Sequence, residues 1–362
     1  MRIAYIINSL EGGGAAFPVP SILSLMRDYG AEVKIFALTK KDGKALPTIH
    51  KALLPVSVRD GGLKDHLKTL LWLNQQIQTY QPTHLWTSLT RATLLGQLVG
   101  LKHQIPVISW QHAAYLKPWN LRLLKATRSL SKLWIGDSQR VTTLTQERLK
   151  ICNDKIITWP IFKSSVNALK ALPWQNGQTI QIVSMGRLHP VKGYDILIEA
   201  CRLLSKRPNL PSYKVTIYGE GQEYDTLNKR IQQYQLEQYI KLAGFTPHVE
   251  QALIQSHLYL QPSRSEGFCV AAHEAMQAGL PVIASAVGEL PFSITNNKTG
   301  FIVPPEDPIA LANALYNFLQ KPEQLYIMGQ LARQIVLSRF STEYFNQIGR
   351  QIFDRMNTFT NQ

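Results

Sequence analysis

Ser265-Glu-Gly-Phe-Cys-Val-Ala-Ala-His-Glu-Ala-Met-Gln-Ala-Gly-Leu-Pro-Val-Ile-Ala284 reads as a loop, a helix and a strand in succession. Glu266 is followed at once by a glycine and an aromatic residue. A helix-period segment then carries Glu274 and ends at Gly279-Leu280-Pro281, and 281–284 reads as a strand. One carboxylate is expected at the mouth of the helix and one on its body. The mouth itself suits a phosphate, because the first N–H groups of a helix lack partners and its dipole is positive there. Eight positions along one helix span a rise of about 12 Å and an offset of about 80°. A retaining glycosidase pair needs about 5–5.5 Å and an inverting pair about 6.5–9.5 Å. The spacing therefore fits two contacts on one extended ligand better than one acid–base pair.

The same alternation extends over the whole chain. Apolar runs at 3–8, 33–38, 84–88, 106–110 and 133–137 read as strands, with helix-period segments at 19–29, 63–80, 93–101 and 121–131. After a loop-like stretch at 160–178 a second series begins. Its strands are expected at 180–185, 214–218, 240–242, 258–261, 282–285 and 300–303. Its helices are expected at 193–204, 223–235, 248–256, 269–278, 308–319 and 323–338. This pattern predicts two α/β domains in tandem, each a parallel sheet with helices on both faces. Ligands in such sheets bind outside the carboxyl ends of the strands, so two of them face to face would form a cleft.

At 362 residues the chain has room for two domains, and 45% hydrophobic content is ordinary for a globular protein. No apolar run approaches the length of a membrane span, and the N-terminus reads as a first strand rather than a signal peptide. Cys152, Cys201 and Cys269 are scattered, with no metal-ligand spacing, which suits a reducing cytoplasm. The net charge of +15 is uneven: 22 Lys/Arg stand against 9 Asp/Glu through residue 165, and 17 against 15 after it. The basic half could meet nucleic acid, an anionic membrane or an acidic substrate. Within it Arg122, Lys125, Arg128 and Lys132 recur at helical spacing among leucines and aromatics, as on a helix lying on an anionic surface or on an ordinary solvated one.

Several loops carry candidate chemistry. Gly12-Gly-Gly14 follows the first strand but fails as a dinucleotide fingerprint, since Phe17 stands where a small residue is required. It is either a flexible turn or a place where backbone approaches a phosphate or sugar. Val183-Ser-Met-Gly-Arg-Leu-His-Pro-Val-Lys-Gly193 brings Arg187 and Lys192 onto one loop at a strand's carboxyl end, which suits a diphosphate. His112 ends a strand and is either structural or a site residue. The chain has no Asp-x-Asp; cations and a helix N-terminus could stand in for a metal on a diphosphate.

In order along the chain come Gly186-Arg-Leu…Lys-Gly193, Tyr218-Gly-Glu-Gly221, Leu242-Ala-Gly244, the two glutamates with seven residues between them, and Thr299-Gly-Phe-Ile-Val-Pro-Pro-Glu-Asp-Pro308. Together these resemble a retaining glycosyltransferase of family 4, with the GT-B fold. The resemblance covers roughly 180–340; the N-terminal half matches in layout, in its Gly-rich loop and in His112. It implies two Rossmann-like domains facing a central cleft. These would be an acceptor-binding domain at 1–165, a nucleotide-sugar domain at 166–340, and a C-terminal helical segment at 341–362 crossing back to the first. It implies a hexosyltransferase acting on a UDP- or GDP-linked donor and a glycan or lipid-linked acceptor, in cell-surface polysaccharide or lipopolysaccharide synthesis. No metal, other cofactor or nucleic acid is expected. A place in the cytoplasm, peripheral on the inner face of the membrane through the basic half, is.

By position the resemblance gives Arg187 and Lys192 the donor diphosphate, with Gly186 at the turn, and Glu274 the ribose. Glu266 would meet the donor sugar, with the backbone of Gly267, Phe268, Cys269 and Val270 near sugar and phosphate. Phe245 would lie by the base, His112 would meet the donor sugar, and Gly13 and Gly14 would sit near the diphosphate or acceptor. A nucleoside diphosphate leaves readily, so what needs stabilising is charge on the departing oxygen rather than a strong general acid. The chain departs from the family's Gly-Gly-x-Pro-Glu at Gly288-Glu-Leu-Pro-Phe292, where Glu289 and Phe292 replace glycine and glutamate. The alternative reading is a catalytically silent nucleotide-binding subunit of a glycan-synthesis complex that keeps the fold.

Overall fold

The computed structural model describes residues 1–112 and 116–359. The chain divides into two units, Met1–Ile161 with Glu343–Gln362, and Phe162–Thr342. Residues 360–362 of the expected C-terminal segment lie outside the described residues.

Unit 1 is built from the strands β1 (Arg2–Ile7), β2 (Glu32–Ala37), β3 (Val56–Val58), β4 (His84–Ser88), β5 (Val107–Gln111), β6 (Ser131–Gly136) and β7 (Ile156–Thr158). Between them lie α1 (Val19–Asp28), α2 (Leu46–Lys51), α3 (His66–Tyr80), α4 (Thr90–His103), α5 (Pro118–Thr127) and α6 (Gln139–Leu149). The sheet order is β3-β2-β1-β4-β5-β6-β7, every pairing parallel. Its central strands β1, β4 and β5 are buried on both faces, so they are largely apolar rather than alternating with exposed polar residues. Ile6, Phe36, Leu85 and Val107 pack with Leu73 and Ile77 of α3 and Leu95 and Val99 of α4. Burying each such side chain contributes about 1.5–3 kcal/mol.

Unit 2 carries β8 (Ile180–Met185), β9 (Tyr213–Tyr218), β10 (Ile240–Gly244), β11 (Leu258–Gln261), β12 (Val282–Ser285) and β13 (Gly300–Val303). Its helices are α7 (Tyr194–Leu204), α8 (Tyr224–Gln233), α9 (Val249–Ile254), α10 (Val270–Gln277), α11 (Leu290–Ser293), α12 (Pro308–Leu319) and α13 (Glu323–Arg339). The order is β10-β9-β8-β11-β12-β13, again all parallel. Ile182, Ile217, Leu258 and Ile283 of the sheet pack with Leu197 and Cys201 of α7 and Leu311 and Leu315 of α12.

A last helix, α14 (Thr342–Thr358), returns to unit 1. Trp159 holds it there: its indole N–H donates to the Phe345 carbonyl at 3.0 Å, and its ring packs on Phe345 at 4.9 Å. Trp159 in turn stacks on Trp110 at 4.9 Å. Gly349 lets the helix approach, since a Cβ there would lie 2.4 Å from Leu25.

The basic segment departs from expectation. Only Arg122 and Lys125 lie on α5; Arg128 is in a 3-10 turn and Lys132 on strand β6. The helix stops early because Ser131, Leu133 and Ile135 follow the alternation of a strand flanked by β5 and β7. The four cations therefore do not form one helical stripe.

Candidate active site

In unit 2 the strand order reverses between β8 and β11, which lie side by side. An open parallel sheet has its crevice outside the carboxyl ends of such a pair. The loop after β8 carries Gly186, Arg187 and Lys192, and the loop after β11 carries Glu266. The two loops meet. Lys192 Nζ donates to Glu266 Oε1 at 2.7 Å, and the same oxygen accepts from Ser263 Oγ at 2.6 Å and Gln261 Nε2 at 3.1 Å. Burial works against the Lys192 charge, but the adjoining Glu266 carboxylate outweighs it and holds the ammonium firmly protonated. Lysine carries three N–H donors. With one on Glu266, others remain for an anion.

Local backbone fixes this geometry. Gly186 has no Cβ, and one placed there would lie 3.3 Å from Lys192 Cε, so the lysine stem lies across the glycine. Gly193 sits at φ +67, and a Cβ there would come within 2.0 Å of the Pro262 carbonyl oxygen. Only glycine lets the loop after β8 close on the loop after β11. Arg264 ties the two as well. It forks onto Asp195 at 2.8 and 2.7 Å, donates to the Pro190 carbonyl at 2.6 Å, and reaches Glu306 at 2.8 Å. The turn 218–221 braces the first loop from the other side, through Gly186 N–H to the Tyr218 carbonyl and Leu188 N–H to the Glu220 carbonyl. Arg187 is exposed on the same loop.

Glu266 lies at the mouth of the helix, on the loop before its first turn. Helix α10 begins at Val270, after Cys269 turns the chain in the left-handed region at φ 66. No side-chain hydrogen bond caps α10. Gly267 is half-buried, Phe268 and Cys269 are buried, and Val270 is half-buried at this mouth.

Glu274 stands on the body of α10 and lines a cavity of about 340 Å³ with Pro247, His248, Val249, Leu169 and Gln277. Its carboxylate takes no hydrogen bond or ion pair among the described residues, and burial alone pushes it up to about 7. An acid so placed is incomplete without hydroxyl or N–H donors from a ligand. Phe245, expected beside the same ligand, is exposed and does not line this cavity; Pro247 and His248 do.

Unit 1 holds the remaining candidates at the carboxyl ends of its strands. His112 follows β5 and is almost enclosed, its side chain 5% exposed. Nε2 lies 2.8 Å from Ser88 Oγ at the end of β4, and Nδ1 lies 3.4 Å from Asp137 Oδ2 just past β6. A carboxylate beside Nδ1 favours the tautomer with hydrogen on Nδ1, leaving Nε2 to accept from Ser88. Gly13 and Gly14 lie in the turn after β1, where the carbonyl of Gly13 accepts from Ala16 and Phe17 N–H at 3.1 Å. A Cβ at Gly13 would meet nothing within 4 Å, so packing in unit 1 does not demand glycine there.

Residues 170–335 match the family model of the glycosyl transferases group 1. That segment spans nearly all of unit 2 and both loops just described. The putative colanic acid biosynthesis glycosyltransferase WcaL of Escherichia coli (strain K12) is 33% identical over 264 residues, 70% of this chain and 63% of that protein. The amylovoran biosynthesis glycosyltransferase AmsK of Erwinia amylovora is 32% identical over 187 residues, 49% of this chain and 46% of that protein. The chain thus spans less than two thirds of the length of these curated relatives. Anabaena HepE, solved in complex with UDP-glucose, superposes with a TM-score of 0.84 over 98% of this chain and all of that one, at 20% identity. The fold is GT-B, two parallel-sheet α/β units.

Sequence reading does not single out Ser263 and Gln261, which hold Glu266, nor Ser88, which hydrogen-bonds His112, nor Asp137 3.4 Å from its Nδ1. All four are small or ordinary polar residues at strand ends. Only their position one or two residues past an apolar run marks them. Among the described residues no three His, Cys, Asp or Glu gather as metal ligands would, and no helix is long and apolar enough to cross a membrane.

Proposed function

We propose that the protein is a glycosyltransferase that moves a sugar from a nucleotide-sugar donor to a glycan or lipid-linked acceptor in surface-polysaccharide assembly. The observation that carries this reading is the Glu274 carboxylate, without a protein donor among the described residues and lining a cavity of about 340 Å³, on the helix that follows the loop of the Lys192–Glu266 pair. A ribose diol supplies two O–H donors to such an acid, and the cavity has room for a base beside Pro247 and His248. Arg187, Lys192 and the uncapped mouth of α10 offer the positive field a leaving diphosphate needs. Glu266, fixed by three donors, would accept from hydroxyls of the donor sugar. The names of WcaL and AmsK and the UDP-glucose bound to HepE support donor and pathway class.

The finer reading is a family 4 enzyme using a UDP- or GDP-linked hexose, retaining the anomeric configuration, with cations rather than a metal on the diphosphate. In it the departing phosphate accepts the acceptor's proton, and His112, Gly13 and Gly14 contact donor or acceptor. The acceptor would be met at the cytoplasmic face of an anionic membrane, with Trp119, 66% exposed on α5, beside Arg122 and Lys125. Liposome flotation at low salt tests that placement: equal flotation with and without anionic lipid removes it.

A thermal-shift screen of nucleotide sugars, followed by product analysis with the best donor and an acceptor panel, tests the function. A melting shift with a UDP or GDP sugar and transfer with retained anomeric configuration are expected. Nucleotide binding without turnover across the panel would favour the silent subunit instead; no shift with any nucleotide sugar would overturn both.

A further inference from the structure

The loop Glu266–Cys269 is held from behind by a buried network that none of the motifs announces. Gly288 sits at φ +60, and a Cβ there would lie 2.4 Å from the Gly267 carbonyl oxygen. This close approach lets Glu289 N–H donate to that carbonyl at 3.0 Å. The Glu289 side chain turns inward, 2% exposed, and its Oε1 accepts from Arg339 Nη2 at 2.7 Å. Arg339 ends α13, three residues before the chain leaves unit 2. Its other nitrogen donates to the Phe292 carbonyl and to Ser293 Oγ, the latter at 3.0 Å. Ser293 Oγ lies 2.8 Å from His273 Nε2, and His273 Nδ1 lies 2.9 Å from the Cys269 carbonyl.

One guanidinium therefore reaches the loop along two routes. The first runs through Glu289 to the main chain of Gly267. The second runs through Ser293 and His273 to the main chain of Cys269. His273 is neutral across the physiological range, since burial above all, with the Arg339 charge adding, brings it down to about 4. With Nδ1–H donating to the Cys269 carbonyl, its Nε2 must accept from Ser293, so the second route has one polarity. Phe340, next to Arg339, packs edge-on against Phe268 at 5.0 Å and His273 at 5.2 Å. Phe162, where the chain enters unit 2, stacks on Phe268 at 5.9 Å. A carboxylate this deeply buried needs a paired cation and a fixed geometry, so the network has one arrangement rather than several.

We propose that Glu289 and Arg339 are positioning residues for the transfer site. Their ion pair fixes the main chain of Gly267 and Cys269, and with it Glu266 and the mouth of α10, where donor sugar and phosphate would lie. This rests on the function proposed above. Neither residue touches the donor: Glu289 is walled off by its own pairing, and Arg339 lies behind the loop. A loop displaced by about 1 Å still binds the nucleotide through Glu274, but it misplaces the reacting centre, which can cost about 100-fold in rate.

Arg339→Lys keeps the charge but cannot fork onto Glu289, Phe292 and Ser293 together. Hydrogen exchange by mass spectrometry on the free protein, over peptides covering 264–272, gives a readout independent of activity. The expected result for this variant is about tenfold faster exchange in that segment at near-native melting temperature. Steady-state transfer should show kcat reduced about 10- to 100-fold with the donor KM within about threefold of wild type. Glu289→Gln keeps the shape but removes the ion pair and leaves the Arg339 charge unmatched, so it should quicken exchange in 264–272 and lower kcat in the same direction. If exchange in 264–272 and kcat per folded protein are unchanged in Arg339→Lys, the pair is only structural and the proposal fails. Loss of donor binding in parallel with kcat also overturns it, because Arg339 would then shape the nucleotide cavity. If the wild-type protein transfers no sugar, the transferase reading falls, and the exchange rates alone decide whether the pair fixes the loop.

Discussion

Replacing Glu274 by glutamine should make the protein more stable and bind its nucleotide less well. The wild-type carboxyl is raised by burial from 4.5 to about 7 in the folded state. A group whose folded value lies above its unfolded value favours the folded state when protonated. That contribution is fully present below about pH 4.5 and is lost as pH rises through 7. At pH 8 the folded protein carries an ionised acid that it would rather hold neutral, a cost of about 3 kcal/mol from the shift alone. Water on the open side of the cavity screens part of this, leaving about 2 kcal/mol. Glu274→Gln removes the ionisation and keeps the shape. At pH 8 it should stabilise unit 2 by about 2 kcal/mol in urea unfolding, and at pH 5 by almost nothing. Calorimetric titration with UDP should show the opposite sign: affinity about tenfold weaker at pH 8, with the difference narrowing as pH falls below 7 and the wild-type acid protonates. Equal stability of variant and wild type at pH 8, or equal affinity, would refute the reasoning that this acid is kept unpaired for a ligand.

Lys192→Met strands the Glu266 carboxylate, so unit 2 should lose about 3 kcal/mol in urea unfolding, partly recovered in Lys192→Met/Glu266→Gln; transfer should fall about 100- to 1,000-fold in either. Gly193→Ala combines a left-handed backbone with a 2.0 Å clash and should cost about 3 kcal/mol by the same measurement, with donor binding lost in proportion. Asp137→Asn removes the carboxylate beside His112 Nδ1 and should slow transfer about tenfold while UDP affinity stays unchanged, read by kcat against calorimetric Kd. Trp159→Ala should cost about 3–5 kcal/mol and release α14, seen as fast hydrogen exchange over 343–358.

The parts of this structure legible in the sequence are those with a strong local pattern. Strands β8, β11 and β12 of unit 2 are buried, mostly apolar runs, and the turn glycines Gly193 and Gly288 stand where the backbone must pack against carbonyls. The pairing of Lys192 with Glu266 follows from strand order, because both loops leave neighbouring strands at the reversal. What the pattern leaves out is short or non-local. β3 and β7 have three residues each, too few for a period. Lys132 reads as part of a helix because the cation spacing there continues, whereas the strand's neighbours in the sheet decide its conformation. Glu289 looks like a departure from a glycine-rich turn, and its partner Arg339 lies 50 residues away. The same limit hides the cavity beside Glu274, whose walls come from 168–169, 247–253 and α10.

The central claim is that a nucleotide sugar lies across unit 2, with its ribose on Glu274 and its phosphates at Lys192 and the mouth of α10. A crystal structure of the protein with UDP tests it most directly. The account predicts ribose hydroxyls within hydrogen-bond distance of Glu274, the base beside Pro247 and His248, and phosphate oxygens on Lys192 or the N–H groups that open α10. UDP bound elsewhere, or a Glu274 carboxylate left without a ligand donor when UDP is bound, would contradict it.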